Sequence, residues 1–229
     1  MVVHEISRLT PRTVRVVATG ELAGWEPGDP GAHFKVFVPD GDGDTAMRTY
    51  TVRRFDPQAD ALTVDFVLHG DGPASEWAQR ARSGDRFEVS GRARSGFVPH
   101  GSCVMAGDQA ALPAIAAIAE SAPSEARIVA LVEVPDAEEQ LELTSPASLD
   151  VRWLHRDGQP ACESLVSAVE RLELPAADVH VWVGCEAGAM RRIRRHLLEQ
   201  RQLAPGALHT RAYWRAGVAD YPDHDTGED

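Results

Sequence analysis

The chain has 229 residues, enough to bury a real core in one large or two small domains. Its formal net charge is −12, which excludes a nucleic-acid binder and obliges any anionic cofactor to meet a local basic site against the overall field. No apolar run is long enough to span a bilayer, the start MVVHEISRL lacks a signal-peptide layout, and Cys103, Cys162 and Cys185 show no metal-type spacing, so the expectation is a reduced, cytoplasmic protein without membrane partners.

Residues 2–20 hold two strand-like runs, VVHEISRL and TVRVVAT, split by Thr10 and Pro11. ELAGWEPGDPGAH is a loop, marked by Gly24, Pro27, Gly28, Pro30 and Gly31. HFKVFVP is another short strand, and Pro39 through Asp44 form an acidic turn.

The stretch from Met47 to Trp77 organises this half of the chain. Arg48 and Tyr50 lie two residues apart, so on a strand they share a face. That strand is expected to end at Phe55, Asp56 and Pro57, because proline removes a ladder donor. Leu62, Val64, Phe66 and Leu68 then alternate with Thr63, Asp65, Val67 and His69, the period-two pattern of a second strand. GDGPAS follows and runs into EWAQRAR, which has helical composition. A glycine-rich turn entering a helix presents free N–H groups and the positive end of the helix dipole, which suits a phosphate. An Arg and a Tyr on one strand beside such a loop can hold an aromatic ring system attached to a pyrophosphate. The competing reading is a half-buried strand with an exposed Arg48, followed by an ordinary helix capped by Ser75. GDGPAS is not a Rossmann opening, because the helix is short, ends at Ser83-Gly84-Asp85, and leads to the strand RFEVSG. Short strands every dozen residues, with one short helix, predict an antiparallel barrel.

From about Gly101 the pattern changes. SCVMAG, ARIVALVEV, DVRWLHR, ADVHVWVG and ALHTRAYWR read as strands. Between them DQAALPAIAAIAES, ACESLVSAVERL and EAGAMRRIRRHLLEQR read as helices, the last with Ala187, Met190, Ile193 and Leu197 on one face. Such alternation predicts a mostly parallel sheet with helices on both faces. The boundary falls between Phe97 and Gly101, giving domains 1–98 and 99–229. The acidic end DYPDHDTGED reads as a mobile tail. The nine histidines lack H-x-x-x-H spacing, so no metal site is expected.

RTYTVR resembles the R-x-Y-[ST] flavin motif of the ferredoxin–NADP reductase superfamily. DFVLHGDGPASEWA resembles the siderophore-interacting protein family, the FAD-dependent ferric-siderophore reductases. Further matches run from LTPRTVRV to AYWRAG, so the resemblance covers nearly the whole chain. It implies an N-terminal antiparallel FAD-binding barrel followed by a C-terminal parallel-sheet NAD(P)-binding-like domain. It also implies that Arg48 pairs with the FAD diphosphate, Tyr50 lines the isoalloxazine and Thr51 sits near N5. The backbone of Gly72, Pro73, Ala74 and Ser75, with the Ser75 hydroxyl, is then the phosphate cradle. The family lines the flavin and its ribityl or adenosine end with the face that carries Asp65, Val67 and His69. Trp77 matches a family position, where it stacks on the cofactor or packs the short helix, and packing is favoured.

In the second domain GDQAALPAIAAI resembles the family's G-D-[ED]-T-A-L-P-A-I. Asp108 matches, while Gln109 and Ala110 replace the usual acid and Thr and remove one hydroxyl contact. WVGCEAGAM resembles the family's strand–A-G-E-A–helix turn, with Glu186 matching and Cys185 in place of glycine, a residue that fills space. AYWRAG resembles G-Y-W-R-x-G, with Tyr213 and Trp214 matching and Ala212 in place of Gly. Asp108, Glu186, Tyr213 and Trp214 are therefore the NAD(P)H-side residues, although the aromatic pair could equally be core. Gly107 and Gly184 fall at strand carboxyl ends, where open parallel sheets bind ligands. Lys35, the only lysine, joins Arg94 and Arg215 as the basic residues expected to meet an anionic ferric siderophore.

The activity so implied is reduction of ferric siderophores. NADH or NADPH supplies a hydride to FAD, single electrons pass to Fe(III), and Fe(II) is released because oxygen-rich chelators hold it less well. No side chain is expected to be catalytic, since the flavin does the chemistry and the protein binds and orients it. Two alternatives stay open: a ferredoxin-fed or general flavin/ferric reductase, and a flavin-free ferric-siderophore binding protein. Glu133 and Asp136 follow the second strand of the C-terminal domain and would repel a 2′-phosphate near the ribose, which tilts the donor toward NADH.

Overall fold

The computed structural model describes residues 1–40, 44–69, 72–90, 93–94, 96–175, 178–221 and 225–227. Parts of the acidic turn (41–43), of GDGPAS (70–71), of RFEVSG (91) and of the tail (222–224 and 228–229) lie outside the described residues. The chain divides into two compact units, Met1–Gly96 and Phe97–Asp229.

The first unit is built from two antiparallel sheets. Strands β1 (Val2–Thr10), β2 (Thr13–Thr19), β5 (Arg54–Asp56) and β6 (Ala61–Val67) form one, in the order β1-β2-β6-β5. Strands β3 (His33–Pro39), β4 (Thr45–Thr51) and β7 (Glu88–Val89) form the other, in the order β4-β3-β7. Strict alternation turns Val14, Val16 and Ala18, Phe34, Val36 and Val38, and Leu62, Val64 and Phe66 into one shared core. Each of these Val, Leu and Phe side chains contributes about 1.5–3 kcal/mol by leaving water.

The strand expected to run unbroken from Arg48 to Phe55 is two strands. At Val52 and Arg53 the chain leaves one sheet for the other: Val52 N–H donates to Ala32 at 2.8 Å and Arg53 N–H to Thr63 at 3.2 Å. The ladder thus changes partner two residues before the proline region, and β4 and β5 belong to different sheets of the barrel. Helix α1 (Pro73–Arg80) follows β6 and buries Ala74, Ser75, Trp77 and Ala78.

The second unit is a five-stranded parallel sheet. Its strands are β8 (Ser102–Asp108), β9 (Arg127–Val134), β10 (Ser148–His155), β11 (His180–Glu186) and β12 (Leu208–Trp214), in the order β10-β9-β8-β11-β12. Helix α2 (Leu112–Glu120) packs its Leu112, Ile115 and Ile118 with Met105, Ile128 and Val132 on one face. Helices α3 (Glu163–Arg171) and α4 (Ala187–Arg195) cover the other, with Leu165, Val166, Met190 and Ile193 against Val104, Leu131 and Val183. The expected stripe on α4 is the buried one, and the helix continues through His196–Gln200 as a π turn that buries Leu197. β8 pairs with β9 on one side and β11 on the other, so strand order reverses direction there. That is the topological switch point at which open α/β sheets take ligands.

The tail is not wholly free. Asp225 accepts from Tyr221 Oη and pairs with Arg191 at 2.9 Å, while its carbonyl takes the Ala212 N–H at 2.9 Å. An acidic segment reads as solvated when its neighbours are unknown; here it lies beside basic α4. Among the described residues no helix is long and apolar enough to cross a membrane, and no group of three His, Cys, Asp or Glu is placed to hold a metal ion.

Candidate functional site

In the first unit β4 sets Arg48 opposite Val36 and Tyr50 opposite Phe34, on the face of the strand that looks into the barrel. The Tyr50 ring stands 4.4 Å from that of Phe66, centroid to centroid. Burial pushes the Tyr50 phenol up, and the nearby Arg48 guanidinium only partly opposes this. Thr51 is buried at the strand end, opposite His33. Arg48 donates to its neighbour's carbonyl, Met47 O, at 2.7 Å.

Helix α1 begins with Gly72 as N-cap and Pro73 in the first turn, and no side chain caps it. Its first main-chain bond runs from Glu76 N–H to Gly72 O at 2.9 Å, so the N–H groups of Ala74 and Ser75 precede the ladder. A Cβ built on Gly72 would meet nothing within 4 Å, so there is room in front of these donors. Ser75 takes neither expected part. Its hydroxyl is 2% exposed and exchanges hydrogen bonds with the main chain of His69, 3.3 Å from N and 3.4 Å from O. This clasp ties the end of β6 to the start of α1 and leaves the backbone as the donor set. Two N–H groups with no partner among the described residues, an open approach at Gly72 and the Arg48 guanidinium are the donor chemistry a dinucleotide diphosphate requires, so the residues fit FAD.

On β6, Val67 is buried and His69 exposed. Asp65 shares their face but is 3% exposed and already engaged: it accepts from Arg15 Nε and Nη2 at 2.7 Å each, with Arg53 Nε 3.5 Å away. Trp77 lies in the core between Phe66 and Phe87, at 5.4 and 5.3 Å between centroids. Lys35 points to the other face of β3 and donates to Thr49 Oγ1 at 2.7 Å. Arg94 pairs with His33, two residues from Lys35, so Lys35 and Arg94 share that face. Arg215 belongs to the second unit, bridged to Val218. Arg15 and Arg53 were not singled out in the sequence. Arg53 lay within RTYTVR, but Arg15 becomes visible only once the β2–β6 register sets it opposite Asp65.

In the second unit Asp108 is hydrogen-bonded to two of the other three donor-side candidates, Glu186 and Trp214. Asp108, 2% exposed at the end of β8, accepts from Ala110 N at 3.0 Å, Glu186 N at 3.1 Å, Cys162 Sγ at 3.3 Å and Trp214 Nε1 at 2.7 Å. Burial raises the pKa of Asp108, and the hydrogen bonds from Trp214, Cys162 and Ala110 work against it. Glu186 caps α4 through Ala189 N at 2.9 Å and takes Ala216 N–H at 3.3 Å. Tyr213 stands edge-on to Trp182 at 6.3 Å. Cys185 is fully buried and in contact with Cys162, whose thiol is pushed up by that contact and by burial. Gln109 is buried against Glu139, its Nε2 2.6 Å from the carboxylate.

Glu133 corrects an expectation. It does not face a ribose: it is 0% exposed and caps α3 across the sheet, accepting from Cys162 N at 2.6 Å and Leu165 N at 3.0 Å, with Arg156 Nε at 3.4 Å. Cys162, the N-cap residue, sits at φ +67° and offers no side-chain cap of its own, so the strand supplies the carboxylate. Asp136 caps its own turn through Glu138 N at 2.9 Å. Glu133 is therefore removed from the argument for NADH, and Asp136 stays exposed.

Together these features define a class: an antiparallel unit whose helix start and strand arginine suit a flavin diphosphate, followed by an α/β unit of nucleotide-binding topology. The profile described as siderophore-interacting FAD-binding domain matches residues 39–95, and that described as siderophore-interacting protein matches residues 100–217. The chain belongs to the siderophore-interacting protein family, and FAD is the cofactor of its first unit. It is 30% identical to the ferric vibriobactin reductase ViuB of Vibrio cholerae over 259 aligned residues, covering 97% of this chain and 96% of that one. The crystal structure of a siderophore utilization protein from T. fusca superposes with a TM-score of 0.91 at 36% identity, over 98% of this chain and 95% of the other. The siderophore-interacting protein SipS from Aeromonas hydrophila gives 0.84 at 33% identity, over 95% and 91%.

Proposed function

We propose that this chain is a flavin-dependent reductase of ferric siderophores, fed by NADH or NADPH. The observation that carries the reading is the start of α1, two N–H groups ahead of the ladder beside an open Gly72, within the region that matches the family's FAD-binding domain. FAD, when bound, supplies the exchange between a two-electron donor and one-electron Fe(III). The side chains bind and orient. Arg48 and the N–H groups of Ala74 and Ser75 hold the diphosphate, and Pro73 brings no N–H to compete. Tyr50, packed on Phe66, would support the ring, and Thr51 would offer it a hydroxyl. Val67 and His69 would line the cofactor's adenosine side. Asp65 acts by fixing Arg15 and Arg53, and Trp77 by stiffening the barrel wall behind α1. Lys35 and Arg94, on one face of the first unit, would meet the negative charge of the ferric chelate. The relative ViuB is a ferric vibriobactin reductase, which supports this substrate class.

The test is an absorption spectrum before and after anaerobic NADH or NADPH, then with a ferric siderophore. Flavin bands that bleach with the nucleotide and return with the chelate are expected. Arg48→Ala removes a charge-assisted contact and should weaken FAD retention about tenfold to a hundredfold; unchanged occupancy would sink the assignment. A ferredoxin-fed reductase is the second reading, favoured by Gln109, which is turned inward onto Glu139, and by Ala110, which offers no hydroxyl. Bands that bleach only with reduced ferredoxin would establish it. A protein that stays colourless after soaking with FAD would leave the binding protein.

A further inference from the structure

The two edges of the second unit's sheet are unlike. On β12 the register shifts between Cys185 and Glu186, which leaves Tyr213 as an extra residue. The tail covers the same strand: Ala212 N–H donates to Asp225 O at 2.9 Å, and Thr210 Oγ1 donates to Thr226 O. A bulge and a covering segment keep an edge from pairing with another chain. β10, at the other edge, has neither. It runs eight residues in unbroken register with β9, longer than the ordinary strand of about 5–6. It holds no proline and no lysine, and its Leu149, Val151, Trp153 and Leu154 are only half-buried. Among the described residues β9 is the one strand that pairs with it.

The ladder settles which groups face outward. Ser148 N–H donates to Ala126 O at 3.2 Å and Arg156 N–H to Val134 O at 3.1 Å, both toward β9. In a parallel ladder the main-chain groups of alternate residues point to alternate sides. Asp150, Arg152 and Leu154 therefore also bond β9, while Leu149, Val151, Trp153 and His155 turn their N–H and C=O outward. The His155 carbonyl is already taken by Ser164 Oγ at 3.4 Å.

Charge then fixes the register of a second copy. Asp150 and Arg152 flank Val151, are exposed, and bridge each other at 2.8 Å. Let Val151 stand opposite the partner subunit's Val151 in an antiparallel pair. Asp150 then meets the partner subunit's Arg152, and Leu149 meets the partner subunit's Trp153. Moving the axis one residue either way sets Asp150, or Arg152, against its own copy. In the favoured register the outward groups of Leu149, Val151 and Trp153 form the hydrogen-bonded pairs. The charges fall in the pairs between them, where side chains come closest.

We propose that the β10 edge is a self-association surface, on which two copies pair antiparallel about Val151 and join their parallel sheets into one. A two-fold contact needs a surface that complements itself, and this strand does so in both charge and hydrogen bonding. The paired strands run in opposite directions, so the carboxyl ends of the two sheets face opposite ways and both crevices stay open. A single edge contact is small, which sets the dimer in the micromolar range.

The experiment uses the full chain loaded with FAD. Sedimentation over a concentration series should show a monomer passing to a dimer. Amide exchange across the same series should slow at Leu149, Val151 and Trp153 and stay constant at Asp150 and Arg152. Arg152→Asp sets acid against acid and should weaken the dimer about tenfold. Adding Asp150→Arg to it exchanges the two charges and should restore the dimer. Both side chains are exposed, and the exchange pattern is read on the wild type, so the test does not depend on how well a variant folds. A protein that stays monomeric, a dimer indifferent to Arg152→Asp, exchanged charges that do not restore it, or association without the alternating protection would each overturn the proposal.

Discussion

Glu133→Gln separates a structural carboxylate from a recognition carboxylate. The side chain is wholly buried and accepts two N–H groups of the α3 start, at 2.6 and 3.0 Å, with Arg156 behind it. Glutamine keeps one acceptor oxygen but turns an NH₂ toward the second N–H. The loss is one charge-assisted hydrogen bond plus the desolvation of a donor left facing a donor, about 3 kcal/mol. For a domain of this size that lowers the melting temperature by about 10 °C. Near-ultraviolet circular dichroism reports the melt, because Trp153 and Trp182 lie in the same unit. The ratio of NADH to NADPH affinity should not move, since the carboxylate never reaches solvent. A melting point within about 2 °C of wild type, or a switch of preference toward NADPH, would refute the reasoning.

Two further outcomes follow from ion pairs. Asp65→Asn leaves Arg15 and Arg53 against a neutral amide in a buried setting and should cost about 3 kcal/mol, read as a lower urea midpoint of the first unit; an unchanged midpoint would remove the pair from the account. At Asp225 burial raises the pKa, but Tyr221, Gly227 N–H and Arg191 outweigh it, so the carboxyl sits below the usual range. A depressed carboxylate stabilises above its ordinary value and loses that contribution as pH falls through the lower, folded one. Tail docking should therefore hold at neutral pH, begin to weaken below about pH 4 and be lost at lower pH still, seen as faster exchange of the Ala212 amide, which donates to Asp225 O. Asp225→Asn should exchange fast already at neutral pH, and equal rates in both proteins would count against the docking.

The alternations in HFKVFVP and ALTVDFV, and the 3.6-period stripe of α4, were readable because burial on one face leaves a periodic mark in the chain. The parallel sheet followed from strands separated by helices. Side-chain partnership was not readable. Asp65 was expected at the cofactor because the family resemblance assigns that role to the face it shares with Val67 and His69; only the β2 register reveals Arg15 across from it. Glu133 looked like a ribose-side acid because it ends a strand, and its cap on α3 depends on a crossover that no local pattern encodes. The RTYTVR stretch concealed a change of sheet at Val52, because both halves favour strand and the switch is made by partners at Ala32 and Thr63.

The reach of Asp108 has a consequence for synthesis of the chain. Its side chain closes the first strand of the second unit, yet the indole it binds lies 106 residues further on. At 5–20 residues per second, that interval is roughly 5–20 s. During it β9, β10 and β11 are made in turn, while the buried carboxylate at the end of β8 has no β12 to answer it. The second unit is thus completed from its last strand inward, and a nascent chain stopped before residue 214 should stay open to proteases however well its earlier strands have paired.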